Sequence, residues 1–140
     1  MKAQHTPSRR AFLLESVLAA GGLALLAAGC SGKHDPGPVT PEVTALASSR
    51  EAADAAARIG NAWLETQKDK ITYATLVDSV LGSERPANLA TDAKALKARV
   101  AERHTADLEV NRITDLGGWV FSFTEVRLYA LVALSRQSKG

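Results

Sequence analysis

The chain of 140 residues holds 17 Lys and Arg against 15 Asp and Glu, with a single cysteine and few aromatic residues. Lys2, Arg9, Arg10 and Glu15 all precede Cys30, so the rest of the chain carries 14 basic and 14 acidic residues, and the pI near 8.9 is a property of the N-terminus. That balance leaves no basic footprint for nucleic acid, and one thiol excludes a disulfide framework or a cysteine-built metal centre.

Ser8-Arg9-Arg10-Ala11-Phe12-Leu13 resembles the twin-arginine (Tat) export signal, with Leu14 standing where that signal usually has Lys. Ser16 to Gly29 follows as an apolar run of 14 residues interrupted by Gly21-Gly22, short of the ~20 needed to span a bilayer. A basic start, a short apolar segment and small residues at its end form the layout of a processed signal. Residues 1–29 are therefore expected to be removed, and the resemblance implies the Tat translocase as the partner in export.

Ala27-Ala28-Gly29-Cys30 resembles a bacterial lipobox, in which the Cys thiol is diacylated and the chain is cut just ahead of it. Cys30 is then the lipidation site, and several acyl chains give stable anchoring. Ala27 stands where Leu is commoner, and Ala27-x-Gly29 also suits the ordinary signal peptidase, whose product is a soluble periplasmic protein. Ser31 after the Cys implies, for a lipoprotein, the outer membrane with the domain facing the periplasm.

Residues 30–40 end in a Pro- and Gly-rich stretch without apolar periodicity and read as a flexible tether. His34 within it has no company for a metal site. Residues 41–140 suffice for one small domain with one core.

A first helix is predicted from the Thr40 cap through Pro41 to about Gln67, with Leu46, Ala53, Ala56, Ile59 and Trp63 at helical spacing. Gly60 in its interior reads as a site of close backbone approach. A second, shorter helix follows the Thr72 cap with Leu76, Val77, Val80 and Leu81 on one face, and Gly82 is placed to end it in a left-handed conformation. After the 82–88 loop a third helix is predicted from Leu89 or Asp92 to Leu108, its charged residues forming solvated surface.

Asn111 suits a helix end with positive φ. Weak alternation over Arg112 to Leu116, then Gly117-Gly118, then Trp119-Val120-Phe121 predicts a small β-hairpin. Ser122 and Glu125 have the capping-box spacing, so a last helix starts there. Its body, Leu128 to Leu134, is apolar nearly all round, which requires that it be central in the domain or covered by a partner. Trp119 and Phe121 are expected to pack against it as core. The expectation is a mainly α domain of four helices with one short β-hairpin before the last.

Asp107-Leu108, Asn111 and Gly118-Trp119-Val120-Phe121-Ser122-Phe123-Thr124-Glu125-Val126-Arg127 resemble a pattern in small proteobacterial Tat-exported proteins: an Asp-Phe pair, a Gly, a short valine-rich strand, then G-W-x-L-S-x-T-E-x-R before an apolar helix. Leu108, Asn111 and Phe121 depart from it. Ile59-Gly60-Asn61-Ala62-Trp63-Leu64 is similar to an I-G-x-A-[YW]-L stretch of the same proteins. The resemblance implies kinship of fold and supplies no mechanism.

Chemistry-bearing motifs are sparse. No phosphate loop, haem-attachment signature or dinucleotide fingerprint occurs, and no cofactor is called for. His104, with Asp107 one turn away and Ser122 within reach in the fold, is the only constellation from which a hydrolase could be assembled, and with Glu125 the only one for a metal. Ser122 has a sufficient duty as a cap and His104 is expected on a solvated face, so no catalytic or metal residue is assigned. Gly118, Trp119, Ser122, Thr124, Glu125 and Arg127 form the candidate docking motif, with Glu125 completing the cap and Arg127 expected to pair with Asp107 or Asp115. Two functions remain: a non-catalytic accessory subunit that docks a larger periplasmic protein, and a small enzyme or ligand-binding protein using the His104 region.

Overall fold

The computed structural model describes residues 35–139 apart from Arg50. Arg9, Arg10, Phe12, Leu13 and Cys30, which carry the export and lipidation expectations, lie outside the described residues, as does His34. The described chain is mainly helical: α1 (Pro41–Ser48), α2 (Ala53–Thr66), α3 (Tyr73–Leu81), a 3-10 turn (Leu89–Thr91), α4 (Ala93–Glu109), β1 (Ile113–Leu116), β2 (Trp119–Ser122) and α5 (Phe123–Gln137). Both strands form one antiparallel hairpin immediately before the last helix. None of these helices is long and apolar enough to cross a membrane.

Thr40 caps α1 through a hydrogen bond from the Val43 N–H, with Pro41 at the first position. The helix start and the Thr40 hydroxyl together hold the Glu42 carboxyl below its ordinary pKa. The single helix expected over 40–67 is two helices. Ser48 donates its hydroxyl to the Thr44 carbonyl and Ser49 donates to the Leu46 carbonyl, a competition with the backbone that favours a helix end. Ala52 then adopts the left-handed conformation, φ 56° and ψ 45°, and α2 begins without a side-chain cap. The break lets α1 and α2 each lie against α5.

Thr72 and Thr75 form a reciprocal box at the start of α3. Gly82 ends that helix with φ 87°, but ψ is 155°, so the chain leaves in an extended direction and not in the expected left-handed turn. Two arginines of α4 close the exposed carbonyls: Arg99 Nε donates to Leu81 O at 2.8 Å and Arg103 Nη2 to Ser79 O at 3.2 Å. Cations are favoured at a helix C-terminus. These two residues are thus structural, where the charge pattern alone suggested solvated surface.

The last helix is the centre of the fold. Val126, Leu128, Ala130, Leu131, Val132, Ala133 and Leu134 are each at most 1% exposed, covered by α1, α2, α3 and α4. Burying one large aliphatic side chain is worth ~1.5–3 kcal/mol. The all-round apolar pattern is thereby accounted for within the domain itself. Closest of the approaches is that of α2, made through Gly60. A Cβ there would lie 2.1 Å from the Tyr129 carbonyl oxygen, so only glycine permits this spacing.

Upstream of Pro41 the folded unit already includes part of the expected tether, because Tyr73 N–H donates to Pro36 O at 2.9 Å. Tyr73 is buried, and its hydroxyl lies 3.3 Å from Ser138 Oγ. The chain therefore enters the domain beside the C-terminal end of α5.

Candidate functional site

At the opposite end of α5, the hairpin turns into the helix. Gly117 and Gly118 form a two-residue loop between Leu116 and Trp119, with φ 62° and 87°. Positive φ at both positions matches the twist of the flanking strands, and only glycine adopts it without strain. Asp115 accepts the Gly118 N–H at 2.9 Å and steadies the turn. That occupies Asp115 in the loop, and it makes no ion pair with Arg127.

A helix start leaves four backbone N–H groups without intrahelical partners. Here the amides from the cap through the third helical residue all have acceptors. Ser122 N–H goes to Glu125 Oε2 at 2.9 Å and Glu125 N–H to Ser122 Oγ at 3.1 Å, the capping box. Phe123 N–H donates to Arg112 O, and Thr124 N–H to Asp107 Oδ2 at 2.7 Å. The Thr124 hydroxyl also donates to Asp107 Oδ2, again at 2.7 Å. Asp107 is 4% exposed and Thr124 2%. A carboxylate at this position satisfies the donors and the positive end of the helix dipole together.

Asp107 is thus turned to Thr124 and to Arg112, whose Nε lies 3.7 Å from Oδ1. No side-chain hydrogen bond or ion pair joins it to His104. His104 is half-buried instead of solvated, its Nδ1 2.8 Å from Ser122 Oγ and 3.6 Å from Glu125 Oε2. The Ser122 oxygen already accepts from the Glu125 N–H, so its proton can point at the ring, or the ring can donate back through an Nδ1–H. Ser122 itself is 1% exposed. A nucleophile needs an open approach and free donors for the developing oxyanion, and here both the hydroxyl and the neighbouring amides are engaged in starting the helix.

Beside His104 lies a half-open cleft of about 370 Å³, walled by Leu96, Val100 and Leu128 with Thr124, Glu125 and Lys97 at its polar side. Among the described residues no three His, Cys, Asp or Glu side chains converge as metal ligands.

Arg127 does not pair with Asp107 either. Its guanidinium lies 5.0 Å from the centroid of the Phe123 ring, and the Arg112 guanidinium lies 5.7 Å from the same centroid. Burial lowers the pKa of Arg127, Arg112 and Arg103 lower it further by repulsion, and Asp107 opposes them. Phe123 is not among the candidate docking residues of the sequence. The signal present was an aromatic residue four positions before Arg127, one helical turn away.

Trp119 is half-buried and stands outside the core cluster, a correction to its expected place. Phe121 packs as expected, its ring 6.0 Å from Tyr129 and nearly perpendicular to it. Of the candidate docking residues, Ser122, Thr124 and Glu125 build the helix entry, Gly118 makes the turn, and Trp119 and Arg127 keep surface. The exposed large apolar residues at this end are Leu108 (39%), Val110 (64%), Ile113 (36%) and Val120 (59%). Comparison with family models, curated proteins and solved structures gives no match to the chain.

Proposed function

We propose that the chain is an exported, lipid-anchored cell-envelope protein whose folded unit docks a larger periplasmic protein and performs no catalysis of its own. The likeness of residues 8–13 to a Tat signal, of residues 27–30 to a lipobox, and of the Gly118–Arg127 stretch to small Tat-exported proteins supports export and anchoring. The observation that carries docking is the grouping of Leu108, Val110, Ile113 and Val120 at the end of α4 and on the hairpin. Exposed apolar side chains held together on rigid elements are the usual mark of an interaction surface. Engagement of Ser122 and its neighbouring amides in the helix cap supports the non-catalytic part.

Replacing Arg9 and Arg10 together by Lys is expected to retain the precursor in the cytoplasm, and Cys30→Ala to release the domain from membranes. Docking is tested with Ile113→Asp and Val120→Asp combined. In detergent-solubilised membranes the unaltered chain is expected to migrate in native electrophoresis with a larger species and the double variant by itself. Identical migration of the two contradicts docking at this surface.

The cleft beside His104 favours a second reading, a small-ligand binding protein, because His104, Lys97 and an apolar wall face one volume. That reading predicts a metabolite-sized ligand whose stabilisation of the fold disappears in His104→Ala and persists in Val120→Asp.

A further inference from the structure

Arg112 and Arg103 both repel the half-buried Arg127 guanidinium, and Asp107 attracts it. That carboxylate is spent: one oxygen takes both donors of Thr124, and the other is 3.7 Å from Arg112. Arg103 is drawn to the Ser79 carbonyl. Arg127 has no hydrogen bond or ion pair among the described residues, only the face of Phe123 at 5.0 Å, with Arg112 at 5.7 Å from the same ring. Two guanidiniums set against one aromatic ring, that of Arg127 without a hydrogen bond or ion pair among the described residues, form an arrangement that can receive an oxyanion with two oxygens.

We propose that Arg112 and Arg127, set against Phe123, form a receptor for a carboxylate side chain in an acidic segment of the partner protein, a segment that also covers the neighbouring apolar residues. This rests on the docking reading above. Charge complementarity identifies the occupant as anionic. Leu108, Val110 and Ile113, exposed and flanking Arg112 in sequence, call for an occupant that is apolar as well, which a segment mixing Glu or Asp with aliphatic residues satisfies and a nucleic acid does not. The fork of a guanidinium matches a planar carboxylate in two hydrogen bonds, and the vesicle arm of the test below separates that occupant from an anionic membrane surface.

The test uses the full chain in neutral detergent and, as probe, a fluorescently labelled peptide of alternating Glu and Val. Anisotropy is expected to show binding that weakens with added salt and falls about tenfold or more in Arg112→Gln and in Arg127→Gln. Arg127→Lys, which keeps charge but loses the planar fork, retains only part of it. Arg136→Gln, at the other end of α5, leaves it unchanged. Matched thermal melting of all four variants keeps a folding defect from imitating the effect. Several results overturn the proposal: no binding of the peptide, an equal loss in Arg136→Gln, binding to phosphatidylglycerol vesicles with the same arginine dependence, or self-association of the chain that disappears in Arg127→Gln. Docking and its charge recognition are separable. A larger native species that dissociates on Val120→Asp but is indifferent to Arg112→Gln and Arg127→Gln overturns this proposal and leaves the docking reading standing.

Discussion

Thr124 gives both its backbone N–H and its hydroxyl to a single oxygen of Asp107, at 2.7 Å each, and so ties the start of the last helix to the last turns of α4. Both residues are buried, and removing the acceptor orphans two donors, each worth roughly 1–3 kcal/mol when left unsatisfied. Asp107→Ala is therefore expected to lower stability by about 2–4 kcal/mol, read by chemical denaturation. Thr124→Val retains the N–H bond and is expected to cost less. A double-mutant cycle in which the two changes simply add contradicts the link.

Gly60 against Tyr129 makes a second stability prediction whose sign is opposite to helix propensity. Alanine gains ~1 kcal/mol over glycine in a helix interior. A Cβ at 2.1 Å from a carbonyl oxygen instead forces α2 away from α5. Gly60→Ala is expected to lose at least about 3 kcal/mol net, a large share of the stability of a domain this size. A melting temperature equal to or above that of the unaltered chain refutes the close approach.

Ala52 carries a strain that glycine relieves. An L-residue other than glycine in the left-handed region costs ~1–2 kcal/mol, offset in part by the greater backbone entropy that glycine loses. Ala52→Gly is expected to raise stability by about 0.5–1 kcal/mol, which a thermal melt resolves. A loss instead means that the helix of residues 40–67 is continuous through this position.

Trp119 and Leu131 separate surface from core. Leu131 is fully buried, and Leu131→Ala is expected to cost ~2–5 kcal/mol. Trp119→Ala, at a half-buried position on the hairpin, is expected to cost about 1–2 kcal/mol. A Trp119 loss equal to that of Leu131 places the indole in the core after all.

Much of this architecture is legible in the sequence because its local signals are strong. Thr72 caps as expected, Ser122 caps where its spacing to Glu125 predicts, Asp92 starts α4, Asn111 takes the positive φ expected of a helix end, and the Gly117-Gly118 pair turns the hairpin. The split between α1 and α2 is not legible. It depends on two serine hydroxyls choosing carbonyls and on an exposed alanine in the left-handed conformation, positions at which the sequence carries no glycine or proline. Neither is the partner choice of the charged groups. Asp107, Arg112 and Arg127 lie within 21 residues of chain, but Asp107 is taken by Thr124 and Arg112, and Arg127 lies against Phe123 on its own helix. Nor is the half-burial of His104 legible, since Ser122 reaches it only once the hairpin folds back along α4.

The central claim is that the hairpin end of the domain is a docking surface, and crosslinking in intact cells addresses it most directly. A photo-activated residue substituted at Val120, with the same residue at exposed Lys68 as control, is followed by mass spectrometry of the products. The account predicts that position 120 joins the chain to one larger periplasmic protein, that position 68 does not, and that the product is lost in Ile113→Asp. Recovery of the chain alone from both positions, or of the same scattered products from both, contradicts it.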